Sequence, residues 1–264
     1  MIRTFLIQAK KSFDFPVRFC TNTPIVRKPD INEVRIVGTL TKEPFILKSG
    51  TYSLSIKTEE SDSKYTIHNV HTRFEPSITP GERIHVTGKL FSIPVEMSDG
   101  KTVTEVVIKA YKTHTLDNSD SLEKLYDDKS FLDSLKSLVA SDVCCSSDDI
   151  NFVEILGNVA SHVLFKDEYC SFVAATHRPS SNERGEVISK ACFHQVYVYD
   201  ECVRKYIEKN VTRRDRILLT GRLGHRTHEY PDGRRLYTGC IIPKNAFKIK
   251  RPIKSENKEV FEQY

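Results

Sequence analysis

INFVEILG, Ile150 to Gly157, repeats INEVRIVG, Ile31 to Gly38, at a distance of 119 residues. Three more matches follow in the same order. IHNV (Ile67–Val70) pairs with FHQV (Phe193–Val196) at 126, and RIHVTGKL (Arg83–Leu90) with RILLTGRL (Arg216–Leu223) at 133. SDGK (Ser98–Lys101) pairs with PDGR (Pro231–Arg234), again at 133. Ordered self-similarity of this kind marks one structural unit present twice. The spacing grows by seven residues twice, so the second copy has two longer connections.

Each copy reads as a succession of short strands. In TYSLSIKT (Thr51–Thr58), Tyr52, Leu54 and Ile56 share one face, the period-two pattern of a half-buried strand. About five such strands in some 90 residues, with a glycine near the end of the first, predict a small closed or nearly closed β-barrel. DECVRKYIEKN (Asp200–Asn210) predicts a short helix in the second copy, with Val203, Ile207 and Tyr206 toward the barrel. The first copy has only EPSITPGE at that point, and its two prolines leave room for little more than a turn. The fold class is therefore all-β: two barrels, residues 31–117 and 150–251. An acidic linker, 118–149, joins them. Leu122, Leu125, Leu132, Leu135 and Leu138 give that linker near-helical spacing, so it is expected to be partly helical.

Charge is distributed unevenly. Residues 31–117 hold 11 Lys/Arg and 11 Asp/Glu, whereas residues 150–251 hold 18 and 11, a net +7. The second copy is the one suited to a polyanion. Residues 1–30 are basic, poor in acids and amphipathic, without the apolar core of a secretory signal. That pattern predicts a mitochondrial transit peptide, hence a matrix or nucleoid location, with a frayed basic tail as the alternative. Residues 252–264 form a tail. The seven cysteines include no Cys-x-x-Cys, which argues against both a disulfide framework and a zinc site. No apolar run is long enough to span a membrane.

The hairpin DRILLTGRLGHRTHEYPDGRRLYTG (Asp215–Gly239) carries more cations and rings than a hairpin needs. Arg222, Arg226, Arg234 and Arg235 can neutralise phosphates, and Tyr230 and Tyr237 can stack on bases. Side chains alternate across a strand, so in FHQVYVY the residues Phe193, Gln195, Tyr197 and Tyr199 share one face. His194, Val196 and Val198 share the other. His68 and His194 hold equivalent positions on the core side, as satisfied core or interface histidines.

The order of these motifs, IN-x-V-x-I-x-G, then H-x-V, then a strand with an internal Gly, then an x-DG-x hairpin, resembles the bacterial and mitochondrial single-stranded-DNA-binding protein family. The resemblance implies two OB folds in tandem, base-stacking aromatics at Phe193 and Tyr199, and another at His228 or Tyr230. It also implies a homodimer that supplies four OB folds, with single-stranded DNA as ligand and replication proteins as partners. No cofactor or metal is expected. The chain lacks the glycine loops and the nucleophile elbow of common enzymes, so a binding protein is predicted. An OB-fold RNA binder, or a scaffold subunit of a mitochondrial replication, RNA-processing or ribosomal assembly, stays open. The first copy departs from the family: its corresponding face is Ile67, Asn69, His71 and Arg73, and its hairpin is almost without cations. A mainly structural role is expected for it. The chain has no tryptophan.

Overall fold

The computed structural model describes residues 29–61, 64–96, 102–116, 149–181, 184–229 and 235–249. Side chains of residues 61, 94–96, 102–104, 227–229 and 235–237 are not among the described ones. The predicted transit segment, helical linker and tail lie outside the described residues, apart from residues 29, 30 and 149.

In the first half the strands are β1 (Ile31–Leu40), β2 (Phe45–Ile46), β3 (Tyr52–Ser61), β4 (Lys64–Thr72), β5 (Arg83–Glu96) and β6 (Thr102–Leu116). The second half repeats them as β7 (Ile150–Val159), β8 (Leu164–Phe165), β9 (Cys170–Ser181), β10 (Val187–Val198), β11 (Arg216–Glu229) and β12 (Arg235–Ile249). A helix, α1 (Glu201–Asn210), is inserted between β10 and β11. The strands hydrogen-bond in the order β2-β3-β4-β6-β5-β1-β7-β11-β12-β10-β9-β8. Two extra pairings, β1–β3 and β7–β9, close each half into a five-stranded barrel. All pairings within a barrel are antiparallel except β4–β6 and β10–β12.

Closure depends on tight curvature at the first strand of each barrel. A Cβ on Gly38 would run into the carbonyl of Lys57, and one on Gly157 into that of Ala175. The shared glycine of the two opening motifs is thus a steric requirement. Inside each barrel lie the residues of the period-two pattern, such as Val34, Ile36, Leu54 and Ile56 in the first and Val153, Ile155, Val196 and Val198 in the second. Asp200 caps α1, accepting from the backbone N–H of Cys202 and Val203 at 2.9 and 3.0 Å. Ile207 is fully buried, and Val203 and Tyr206 pack on the core, the three positions expected. In the first barrel the proline-containing segment sends Ile78 into the core instead.

β1 and β7 pair antiparallel with Val34 opposite Val153, the two residues that correspond in the repeat. A pseudo-twofold axis therefore passes between them. Its consequences recur throughout. Asp149, just before β7, accepts from Arg83 at 2.9 Å and from the Glu59 N–H at 3.0 Å in the first barrel. Asp30, just before β1, accepts from Arg216 at 2.6 Å and from the His177 N–H at 2.7 Å in the second. Each barrel thus anchors the leading residue of the other's first strand.

The buried histidines follow the same symmetry. His68 Nε2 is hydrogen-bonded to Thr58 Oγ1 at 2.8 Å, and His194 Nε2 to Thr176 Oγ1 at 2.9 Å. Burial drives both rings toward the neutral form, His68 to a pKa of about 3, helped by His225, and His194 to about 4. His85, in the first barrel alone, is lowered to about 4, first by burial and then by Lys112, Arg35 and His114.

Candidate nucleic-acid interface

β10 carries the expected row. Phe193 (55% exposed), Gln195 and Tyr197 stand on its outer face and Tyr199 (48% exposed) follows at its end. Their inward neighbours His194, Val196 and Val198 are buried. Phe193 and Tyr199 are six residues apart, about 20 Å in an extended strand, so they would meet different bases.

Tyr197 is engaged differently. Arg226, on β11, places its guanidinium carbon 4.5 Å from the Tyr197 ring centre and 4.8 Å from that of Tyr169. Its Nη2 donates to the Tyr169 hydroxyl at 2.8 Å. Tyr169 meets Tyr197 edge-on at 5.6 Å and Tyr199 at 5.8 Å. The hydrogen bond from Arg226 to Tyr169 is the largest contribution holding the guanidinium in its charged form. Burial raises the pKa of Tyr199, so its hydroxyl stays protonated. The result is a cation held against two tyrosines, with Tyr199 beside one of them: rings for stacking and a positive charge for a phosphate, already ordered. Sequence reasoning missed Tyr169. It sits before β9, where the first copy has Thr51, and only that aromatic-for-polar exchange could have marked it.

Arg222 does not join this cluster. It bridges to Glu60 of the first barrel at 2.5 Å, and its charge is compensated there. His228, Arg235 and Tyr237 are placed by their backbones on β11 and β12, with Thr227 opposite Tyr237 and Glu229 opposite Arg235. Their side chains, and all of Tyr230 and Arg234, lie outside the described residues.

The first barrel presents a weaker counterpart. Tyr65 (61%), Ile67 (41%) and Phe74 (61%) are exposed on or after β4. Asn69 is bonded to Glu105 at 2.5 Å, and the Glu105 carboxylate makes this surface less receptive to an anion. Among the described residues no group of three or more His, Cys, Asp or Glu could hold a metal ion. No described helix is long and apolar enough to cross a membrane.

A closed five-stranded barrel with rings on its third long strand and cations on the following hairpin suits unpaired bases. Residues 150–246 match the single-strand binding protein family. The match spans the second barrel and none of the first. Among solved structures, the single-stranded DNA binding protein of Thermus aquaticus aligns over 85% of this chain and 96% of its own. Identity is 16% and the TM-score 0.53. A deletion mutant of the same protein aligns over 86% and 98%, at 15% identity and a TM-score of 0.55. That likeness establishes the shared fold of both barrels, while the family match concerns the second. No curated protein matches the chain in sequence.

Proposed function

We propose that the chain binds single-stranded DNA without strong sequence preference, coating unpaired strands during mitochondrial DNA replication and maintenance. The carrying observation is the row Phe193–Tyr199, exposed on the barrel that matches the single-strand binding protein family and flanked by the fixed Arg226. Rings stack on any base, and the cation neutralises backbone charge, so recognition needs no base-edge hydrogen bonds. The first barrel serves mainly to hold the second and to make assembly contacts. Two chains would supply four OB folds. The basic, acid-poor leader of residues 1–30 supports the mitochondrial address.

Titration of fluorescent oligo-dT over a salt series tests the reading. Tight binding that weakens steeply with salt is expected. Phe193→Ala and Tyr199→Ala should each weaken binding by roughly 5- to 150-fold, the equivalent of about 1–3 kcal/mol per lost stack, with the thermal midpoint unchanged. No binding by the intact protein at low salt would overturn it. Competition with RNA of equal length separates the DNA from the RNA reading. Sizing by light scattering reports the dimer, and a residue 1–30 fusion to a fluorescent protein reports the address.

A further inference from the structure

Each barrel lays its long hairpin across the other. The hairpin β11–β12 meets β4, where His225 Nε2 donates to the Ile67 carbonyl at 2.6 Å. The hairpin β5–β6 meets β10, where Ser92 Oγ donates to the Phe193 carbonyl at 2.7 Å. Ser92 corresponds to His225 and Ile67 to Phe193, so these two seams are related by the pseudo-twofold.

Their charges are not. The first seam is closed by the ion pair Arg222–Glu60. At the second, Lys89 replaces Arg222 and Arg178 replaces Glu60, so two cations stand where the other seam has a bridge. Two more cations lie directly opposite them across the strands: Lys109 opposite Lys89, and Lys190 opposite Arg178. Like charges in register on adjacent strands destabilise a sheet. Here two such pairs, one from each barrel, converge on a single ring. Lys109 Nζ and Arg178 Cζ each lie 4.6 Å from the centre of Phe91. All four cations are exposed, and none has an ion-pair partner among the described residues. Lys190 precedes Phe193 by three residues on β10, about 10 Å along the strand and on the opposite face by alternation.

We propose that this second seam, Lys89, Lys109, Arg178 and Lys190 around Phe91, binds the phosphodiester backbone of a nucleic-acid strand running off the Tyr199-to-Phe193 row. The proposal rests on the second barrel binding unpaired strands. It extends the path across the junction, so the first barrel supplies Lys89, Lys109 and Phe91 while its own face stays unused. An anion in the seam relieves both like-charge pairs at once, and in a single strand each neutralised phosphate adds about 0.7 to the salt slope.

The test uses the intact protein and oligo-dT of two lengths. One is about six nucleotides, enough for the aromatic row, and the other about thirty. Changing Lys89, Lys109, Arg178 and Lys190 together to Gln should lower the slope of log K against log[salt] by up to about 3 for the long oligomer, and leave the short one unaltered. Arg178→Glu, which gives this seam the acid its counterpart has at Glu60, should lower the long-oligomer slope by about 1 without reducing thermal stability. Changing Lys42, Lys48, Lys166 and Lys209 to Gln matches the net charge and should leave both slopes in place. An unaltered long-oligomer slope in the seam variants, while Phe193→Ala still loses both oligomers, overturns the seam and spares the row. Equal losses with both lengths also overturn it. No binding of either oligomer by the intact protein overturns the row and the seam together.

Discussion

The two seams between the barrels are built from corresponding residues and differ in what closes them. In one, Arg222 reaches Glu60 and the junction is electrically complete. In the other, Lys89 and Arg178 occupy those places and the junction is left positive. A duplicated fold keeps whatever the backbone geometry demands. Gly38 and Gly157, Asp30 and Asp149, and the Thr–His pairs in the cores are therefore preserved. Side chains that point outward carry no such demand, so the halves diverge there: one seam holds the barrels together and the other is open to a polyanion.

The largest asymmetry should appear in acid. His68, His85 and His194 have folded pKa values near 3, 4 and 4, below the unfolded value of about 6.5, so the unfolded chain binds more protons between those limits. Stability is complete above pH 6.5 and falls as pH drops toward 4. At pH 5 the loss is about 2 kcal/mol per ring, roughly 6 in all, with two of the three rings in the first barrel. Denaturant melts at pH 7 and 5 measure it. Both His68→Gln and His194→Gln should reduce the difference, and an unchanged difference in either variant would show that its ring is charged in the fold.

Next in size are the anchors that obey the symmetry. Asp30→Ala removes the acceptor of Arg216 and of the His177 N–H, and Asp149→Ala that of Arg83 and the Glu59 N–H. Each should cost on the order of 2 kcal/mol in urea denaturation, and by similar amounts. Very unequal losses would break the equivalence of the two junctions.

The smallest effect separates the seams themselves. Arg222→Ala removes the Arg222–Glu60 bridge and should cost about 1 kcal/mol, since the bridge is partly exposed. Lys89→Ala, at the corresponding position, should cost nothing or stabilise slightly, because it relieves the repulsion from Lys109. The same denaturation experiment reads both, and a loss in Lys89→Ala equal to that in Arg222→Ala would mean that the second seam is also closed.

The fold was legible because it is written in local chemistry. Alternation gave the strands, the proline pair and Asp200 distinguished a turn from a helix, and the doubled motif gave two barrels. The outer row on β10 was legible for the same reason, since alternation alone assigns Phe193 and Tyr199 to one face. The role of Arg222 was not. As a cation in a basic hairpin it reads as a phosphate contact, and only the approach of β3 from the other barrel reveals Glu60, 162 residues away, as its partner. Tyr169 was invisible for a related reason: one tyrosine in a loop has no pattern.

The sequence by itself determined two all-β units, their inner and outer faces, and the basic, aromatic character of the second, because these depend on the order of side chains along each strand. Only the tertiary structure decided which charges are compensated, which arginine is held among rings, and that Lys89, Lys109, Arg178 and Lys190 share one place. Those outcomes depend on distances between residues far apart in the chain, fixed when β1 pairs with β7 across the axis through Val34 and Val153.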